Sequence, residues 1–219
     1  MSLECSTQSI YEIRPRNLYL EESTLRKKLS TIEILTDFDD TYIKENSAIL
    51  TVINYFLASP KPLQFLNNIL KGGLEYLEKK DLHSFFYLLK GCPIKLIDGV
   101  VKQLHTNEEW EQIVNSLGIK SVGIVSRNDY RIILKSLAGL EKGSTKKQII
   151  LANRLQTYQG ICTGDVDIVI DDANLGKKIR ESGKDYICRK QEEKILEKAG
   201  LYSKKIKKGF YIYEKRKVF

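Results

Sequence analysis

No run in the sequence approaches the roughly eighteen uncharged apolar residues that a membrane-spanning helix needs. Its first residues also lack the basic start, apolar stretch and small-residue cleavage site of a secretory leader. A cytoplasmic protein with no membrane contact is the expectation. Cysteine is sparse: Cys5, Cys92, Cys162 and Cys188 form no Cys-x-x-Cys pair, and only His83 and His105 could join them as soft ligands. This argues against zinc and leaves the cysteines as small core residues. The two histidines have no acidic or cysteine partner at ligand spacing, so surface or packing roles suit them. Internal repeats and low-complexity segments are absent as well.

What the chain does have is length and positive charge. Its 219 residues can bury a full core with an insertion, and a formal charge of +8 favours anionic partners such as phosphorylated metabolites, nucleotides or nucleic acid. The abundance of Lys, Glu, Ile and Tyr resembles thermophile composition, which accounts for part of the lysine excess without any ligand.

Residues 1–30 are polar with short apolar runs and read as an N-terminal extension. Ile32 to Asp37 is β-rich and breaks directly into acidic residues, as a strand does where its C-terminal end opens into a site. From 46 to 117 helical periods take over, for example Ile49/Ile53/Phe56 and Phe65/Leu66/Ile69/Leu70, with Thr106-Asn107-Glu108-Glu109 as a capping box before Trp110. Strand character returns at Ser121–Ser126, followed by a helix carrying Tyr130, Ile133, Leu134 and Leu137. Thr145-Lys146-Lys147-Gln148 reads as a second capping box opening a helix through Leu155. Asp167–Ile170 then reads as a buried strand running into Asp171-Asp172, Asn174 as the cap of a helix ending at Gly183, and Tyr186–Cys188 as the last core strand. The expected architecture is a Rossmann-like parallel α/β sheet flanked by helices, formed by 31–45 and 118–219, with a helical cap over 46–117 inserted after the first core strand.

In this arrangement three strand ends deliver Asp37-Phe38-Asp39-Asp40-Thr41, then Ser126 with Arg127, then Asp171-Asp172, while Lys147 starts an intervening helix. Two carboxylates two residues apart can share labour, one attacking phosphorus and the other handling the leaving group's proton. Carboxylates repel phosphate dianions, so a hard divalent cation, Mg2+, is expected. Asp37, the main-chain carbonyl of Asp39, Asp171 and Asp172 are its candidate ligands. Ser126, Arg127 and Lys147 are the candidate binders of the phosphoryl oxygens, with Lys146 as the fallback for Lys147. Asp40 suits a turn.

On these residues the chain resembles the haloacid dehalogenase superfamily. Ile34-Leu35-Thr36-Asp37-Phe38-Asp39-Asp40-Thr41 matches its first motif, an apolar strand followed by Asp-x-Asp-x-Thr. Val122–Ser126 is similar to the second motif, Lys147–Leu151 to the lysine motif and Ile168–Asp172 to the fourth. Asn174 and Gly183 are placed as in phosphoserine-phosphatase-like members, although Leu175 stands where many of those carry another Asp. The resemblance spans Ile32 to Cys188. It implies a phosphatase in which Asp37 attacks phosphate and Asp39 protonates the leaving oxygen and then activates water. It also implies a small phosphorylated substrate covered by a helical cap.

Two other readings use the same residues differently. An idle core with nucleic acid or a protein bound to the basic surface is one, and there Lys204–Lys217, which mixes lysines with Phe210, Tyr211 and Tyr213, reads as a hairpin. Its plainer form is a solvated basic hairpin packing those aromatics on the core. Phosphotransfer to an acceptor other than water is the other. Substrate identity and oligomeric state carry no sequence signal.

Overall fold

The computed structural model describes residues 11–13, 30–58, 62–79, 81–140, 147–168, 170–189, 193–206 and 209–215. Tyr11–Ile13 forms β1 and Ile34–Asp37 forms β2. A wide turn, Phe38–Tyr42, leads from β2 into a helical run. This contains α1 (Ser47–Ala58), α2 (Pro62–Asn68), a widened helical turn at Ile69–Gly73 that continues into α3 (Leu74–Lys79), α4 (Leu82–Tyr87), α5 (Leu96–Val101) and α6 (Glu108–Ser116). There follow β3 (Ser121–Asp129), α7 (Tyr130–Leu140), β4 (Lys147–Tyr158), β5 (Ile161–Asp167), α8 (Leu175–Ser182), β6 (Asp185–Arg189), α9 (Glu193–Lys198), β7 (Leu201–Lys205) and β8 (Phe210–Lys215). Among the described residues no helix is long and apolar enough to cross a membrane.

The strands lie in the order β1-β4-β3-β2-β6-β8-β7, with β5 paired to β4 off this path. From β1 to β6 neighbours run parallel, whereas β8 is antiparallel to both β6 and β7. Side-chain alternation explains why both faces are covered. Ile34, Val122, Ile124, Ile150 and Ile187 enter one apolar cluster with α5, α6 and α7. Leu35, Val125, Leu151, Tyr186 and Cys188 enter another with α8 and α9. At Gly123 a Cβ would stand 2.4 Å from Leu35 Cδ2, so a side chain there would make the Leu35 methyl shift.

The helical run divides between two cores. Phe65, Phe86, Leu89 and Tyr55 pack with Leu155, Cys162 and Val166 of the β4–β5 hairpin, whereas Ile97, Val100, Trp110 and Ile113 pack beneath the parallel sheet. Main-chain bonds join the helical run to the hairpin: Gly91 N donates to Cys162 O (2.8 Å) and Ile94 N to Gly160 O (2.8 Å). Cys92, Cys162 and Cys188 are buried, as core residues would be, and Cys5 lies outside the described residues.

Three sequence expectations are corrected. The helix read over 145–155 is strand β4, with Thr145 and Lys146 outside the described residues. Ile150, Leu151 and Ala152 are buried in succession, as a strand covered on both faces requires, and such a short apolar run has no period that separates it from a buried helix. Of the strand expected over Asp167–Ile170, Asp167 ends β5, an antiparallel hairpin strand, Ile168 and Ile170 are in no strand and residue 169 lies outside the described residues; the seat beside β2 belongs to β6, whose Tyr186, Ile187 and Cys188 are all buried. Asn107, not Thr106, caps α6, its side chain accepting from Glu109 N at 3.2 Å. The Lys204–Lys217 stretch does form a hairpin strand, β8, with Phe210 and Tyr213 fully buried; Lys207, Lys208, Arg216 and Lys217 lie outside the described residues.

Candidate active site

Strand β2 sits in the middle of the parallel sheet, so its end is held on both sides: Asp37 is in register with Val125 of β3, and Thr36 with Ile187 of β6. The Thr36 hydroxyl donates to main-chain oxygens of Asp37 (3.1 Å) and Ile187 (3.3 Å) and accepts from Trp110 Nε1 (2.9 Å). Asp37 is buried, and Thr41 Oγ1 donates to its Oδ2 at 3.4 Å. The chain then swings through an extended Asp39 and a left-handed Asp40 (φ 56°). Aspartate tolerates that region better than most residues. Asp40 N donates to Glu45 O (3.2 Å), and Arg189 Nε donates to Asp40 O (3.1 Å), which makes Asp40 a turn residue.

Within the acidic loop it is Asp39 whose electrostatics depart from the ordinary. Burial pushes its carboxyl up to about 6, although two bonds from Ser47 favour the ionised form: main-chain N at 2.7 Å and Oγ at 2.5 Å, both to Oδ1. The Ser47 hydroxyl in turn accepts from Asn128 Nδ2 (2.6 Å), and Asn128 N donates to Ser126 Oγ (3.1 Å). A continuous polar chain thus runs from Asp39 through Ser47 and Asn128 to Ser126, binding the β2 exit to the β3 exit.

The third acidic segment is held differently. Asn153, fully buried midway along β4 where its pairing with β3 ends, donates through Nδ2 to Ile170 O (2.8 Å) and Arg127 O (2.7 Å), and its Oδ1 accepts from Ile170 N (2.9 Å). Beyond it, Asp171 N donates to Asn174 Oδ1 (3.0 Å) and Asn174 N to Asp171 Oδ1 (2.7 Å), a reciprocal turn that starts α8. The helix ends at Gly183 (φ 68°). Asp172 is engaged by the guanidinium of Arg127.

These segments meet at one cavity of about 580 Å³, lined among others by Asp37, Asp39, Ser126, Arg127, Asp171 and Asp172. Lys147 starts a strand, not a helix. It opens β4 in register with Ser121, five residues, about 16 Å of strand, before Ser126, and so its main chain stands at the far end of the sheet. The reason is the strand itself: a residue that begins a parallel strand cannot share the end where its neighbours finish. Arg127 is the guanidinium that lines the cavity. His105 lies elsewhere, its Nδ1 2.7 Å from Glu45 Oε1, whereas His83 lines the cavity from the helical run.

Ser47, Asn128 and Asn153 were not singled out from the sequence. Asn46-Ser47 carried a weak signal, as cap-type residues opening a helix just after the acidic loop. Asn153 carried none, because its role depends on what a neighbouring segment brings to it.

Among the described lining residues hard oxygen donors dominate, with carboxylates of Asp37, Asp39, Asp81, Asp171 and Asp172 beside the Arg127 guanidinium and the His83 imidazole. That donor set suits a magnesium-like cation, which takes one or two carboxylates and fills its octahedron with carbonyl, water and phosphate oxygens. Among the described residues no three His, Cys, Asp or Glu side chains converge closely enough to enclose a metal alone.

By sequence, no family profile and no curated protein matches the chain. By structure it is similar to a probable phosphoserine phosphatase from Vibrio cholerae in unliganded form, with a TM-score of 0.50 and 15% identity over 81% of this chain and 60% of that one. It is also similar to a phosphoserine phosphatase in apo form, with a TM-score of 0.47 and 21% identity over 68% of each chain. A third is a HAD-family hydrolase from Salmonella enterica serovar Typhi, with a TM-score of 0.45 and 16% identity over 77% of this chain and 60% of that one. At such identities the likeness is one of fold, an α/β sheet flanked by helices.

Proposed function

We propose that the protein is a magnesium-dependent phosphomonoester hydrolase acting on a small phosphorylated substrate through a phospho-Asp37 intermediate. The observation that carries this reading is the pairing at the β2 exit: Asp37 held in the sheet register, and two residues later a carboxyl raised to about 6, both lining one cavity. A group near that value is protonated often enough to donate to a leaving oxygen and ionised often enough to take a proton from water afterwards. Asp39 serves both half-reactions, and Ser47 holds it in place.

Asp37 and Asp171, with the main-chain carbonyl of Asp39, would hold the cation, which when bound offsets the negative charge shared by Asp37 and the incoming phosphate. Ser126 and Arg127 bind the phosphoryl oxygens. Asp172 holds the Arg127 guanidinium in place instead of reaching the metal, since a charge-assisted pair already occupies it. The helices from Ser47 to Tyr87 supply the opposite wall of the cavity and act as the cap.

The test is hydrolysis of p-nitrophenyl phosphate by wild type and Asp37→Asn, with magnesium and then with EDTA. Turnover that needs both the metal and Asp37 is the expected result. Appreciable turnover by the variant sinks the assigned nucleophile.

A further inference from the structure

The cavity has two unlike walls. On the strand-end side stand Asp37, Asp39, Ser126, Arg127 and Asp171, and on the helical side Ile49, Tyr76, Leu82, Phe85 and Phe86. Resting on the phosphatase reading, we infer that the alcohol released from the substrate is apolar and uncharged, an alkyl or aryl group.

The polar members of the helical wall support this. Asp81 accepts from Ser84 N (3.0 Å) and Ser84 Oγ (2.7 Å), so its carboxylate caps α4 and its oxygens are already engaged. Among the described residues no lysine lines the cavity, and Arg127 is engaged with Asp172 on the opposite wall. A leaving group bearing a carboxylate, as serine does, would be stripped of water against Tyr76, Leu82 and Phe85, with His83 the one basic side chain among the described residues of that wall to meet it. An alkyl or aryl group loses nothing by that exchange and gains the burial. The edge-on packing of Phe85 with Phe86 (ring centroids 5.5 Å apart) and its contact with Tyr76 (5.5 Å) make this wall a continuous aromatic surface.

The same character continues past the rim. Ile49 lines the cavity and is 54% exposed; Ile53 and Phe56, four and seven residues on along α1, are 46% and 49% exposed, and α1 has no charged residue in its twelve. Residues at that spacing share one helix face. An alkyl chain longer than the cavity therefore finds apolar surface to lie on outside it.

The experiment is a kcat/KM series at fixed magnesium for methyl, butyl, hexyl, octyl and benzyl phosphate beside O-phosphoserine and glycerol 3-phosphate. Expected is a rise of up to about threefold per added methylene while the chain remains in contact, with octyl and benzyl phosphate at least about tenfold above O-phosphoserine. Phe85→Ala and Tyr76→Ala should shrink the octyl-to-methyl ratio. A flat series, or O-phosphoserine equal to the octyl ester, overturns the inference while leaving the phosphatase reading intact. If no ester is hydrolysed, the phosphatase reading fails instead. Calorimetric binding of octylphosphonate against 2-amino-4-phosphonobutanoate, the phosphonate counterpart of phosphoserine, then decides the inference: tighter binding of the former supports it, and equal or weaker binding overturns it.

Discussion

The two acidic segments of the site are supported in opposite ways. At the β2 exit, Asp37 belongs to the ladder of a central strand with neighbours on both sides. At Ile170–Asn174 no ladder exists; one side chain, Asn153, and a local Asp171–Asn174 turn hold the segment. The backbone support comes from the fold and tolerates changes of side chain, whereas the side-chain support fails with a single substitution. Nucleophile and second acid should therefore respond to mutation through different observables.

The largest effect on rate belongs to the first segment. Asp37→Asn should lower kcat by on the order of 10⁴-fold, as loss of a nucleophile does, yet leave the denaturation midpoint nearly unchanged because the ladder bonds are main-chain. Circular dichroism melts beside single-turnover rates check both halves. An equal loss of stability would show that the Asp37 carboxylate helps to hold the turn.

Asn153→Ala should show the reverse emphasis. It removes the side-chain bonds to Ile170 N, Ile170 O and Arg127 O, two of them buried, at a cost of about 2–4 kcal/mol. Urea unfolding measures that cost. Activity should fall as well, on the order of ten- to a hundredfold, through looser placement of Asp171, with the loss concentrated in magnesium dependence. A stable variant with unchanged magnesium response would remove Asn153 from the support of the site.

Ser47→Ala makes a smaller change and reads the proton on Asp39. Burial raises the folded carboxyl from 3.8 to about 6, so the native state keeps a proton that the unfolded chain has lost, and this group's contribution to stability declines as pH rises from about 4 to about 6. In the proposed mechanism a protonated Asp39 serves leaving-group departure, so the phosphorylation rate should fall as pH rises through the same carboxyl. The Ser47 hydroxyl favours the ionised form; without it the carboxyl titrates higher. The alkaline limb of the single-turnover profile should move to higher pH, and a move to lower pH would contradict the assignment of Asp39 as the acid.

How much of this could be read from sequence follows the same division. The β2 run and its acidic exit were legible because an apolar strand ending in carboxylates is a local pattern, and so were Ser121–Ser126, the helix after it and α8 with Gly183 at its end. The β4–β5 hairpin was not. Its turn residues Gln159 (φ 48°) and Gly160 (φ 76°) both take positive φ, the geometry of a tight two-residue hairpin loop, yet only Gly160 advertises it, and the Thr-Lys-Lys-Gln stretch upstream imitated a helix start. That one misreading carried Lys147 into the site. The order of strands was equally out of reach: whether 167–170 or 185–189 lies beside β2 depends on burial of Tyr186 and Cys188 against α8 and α9, a tertiary outcome with no local mark.

Trp110 offers the mildest test of the contrast, because it supports the ladder end from below without touching the cavity. Its indole N–H donates to the Thr36 hydroxyl, and its ring packs edge-on against Tyr42 at 4.5 Å. Trp110→Phe keeps most of the apolar contact and loses one buried hydrogen bond and part of a ring, a cost of about 1–2 kcal/mol. Since the Thr36 hydroxyl still has two main-chain acceptors and β2 still has both neighbours, kcat should stay within about threefold of wild type while the urea midpoint falls. If kcat drops tenfold or more with a modest loss of stability, the β2 exit also relies on a side chain for its geometry, and the distinction between its support and that of Asp171 narrows to one of degree.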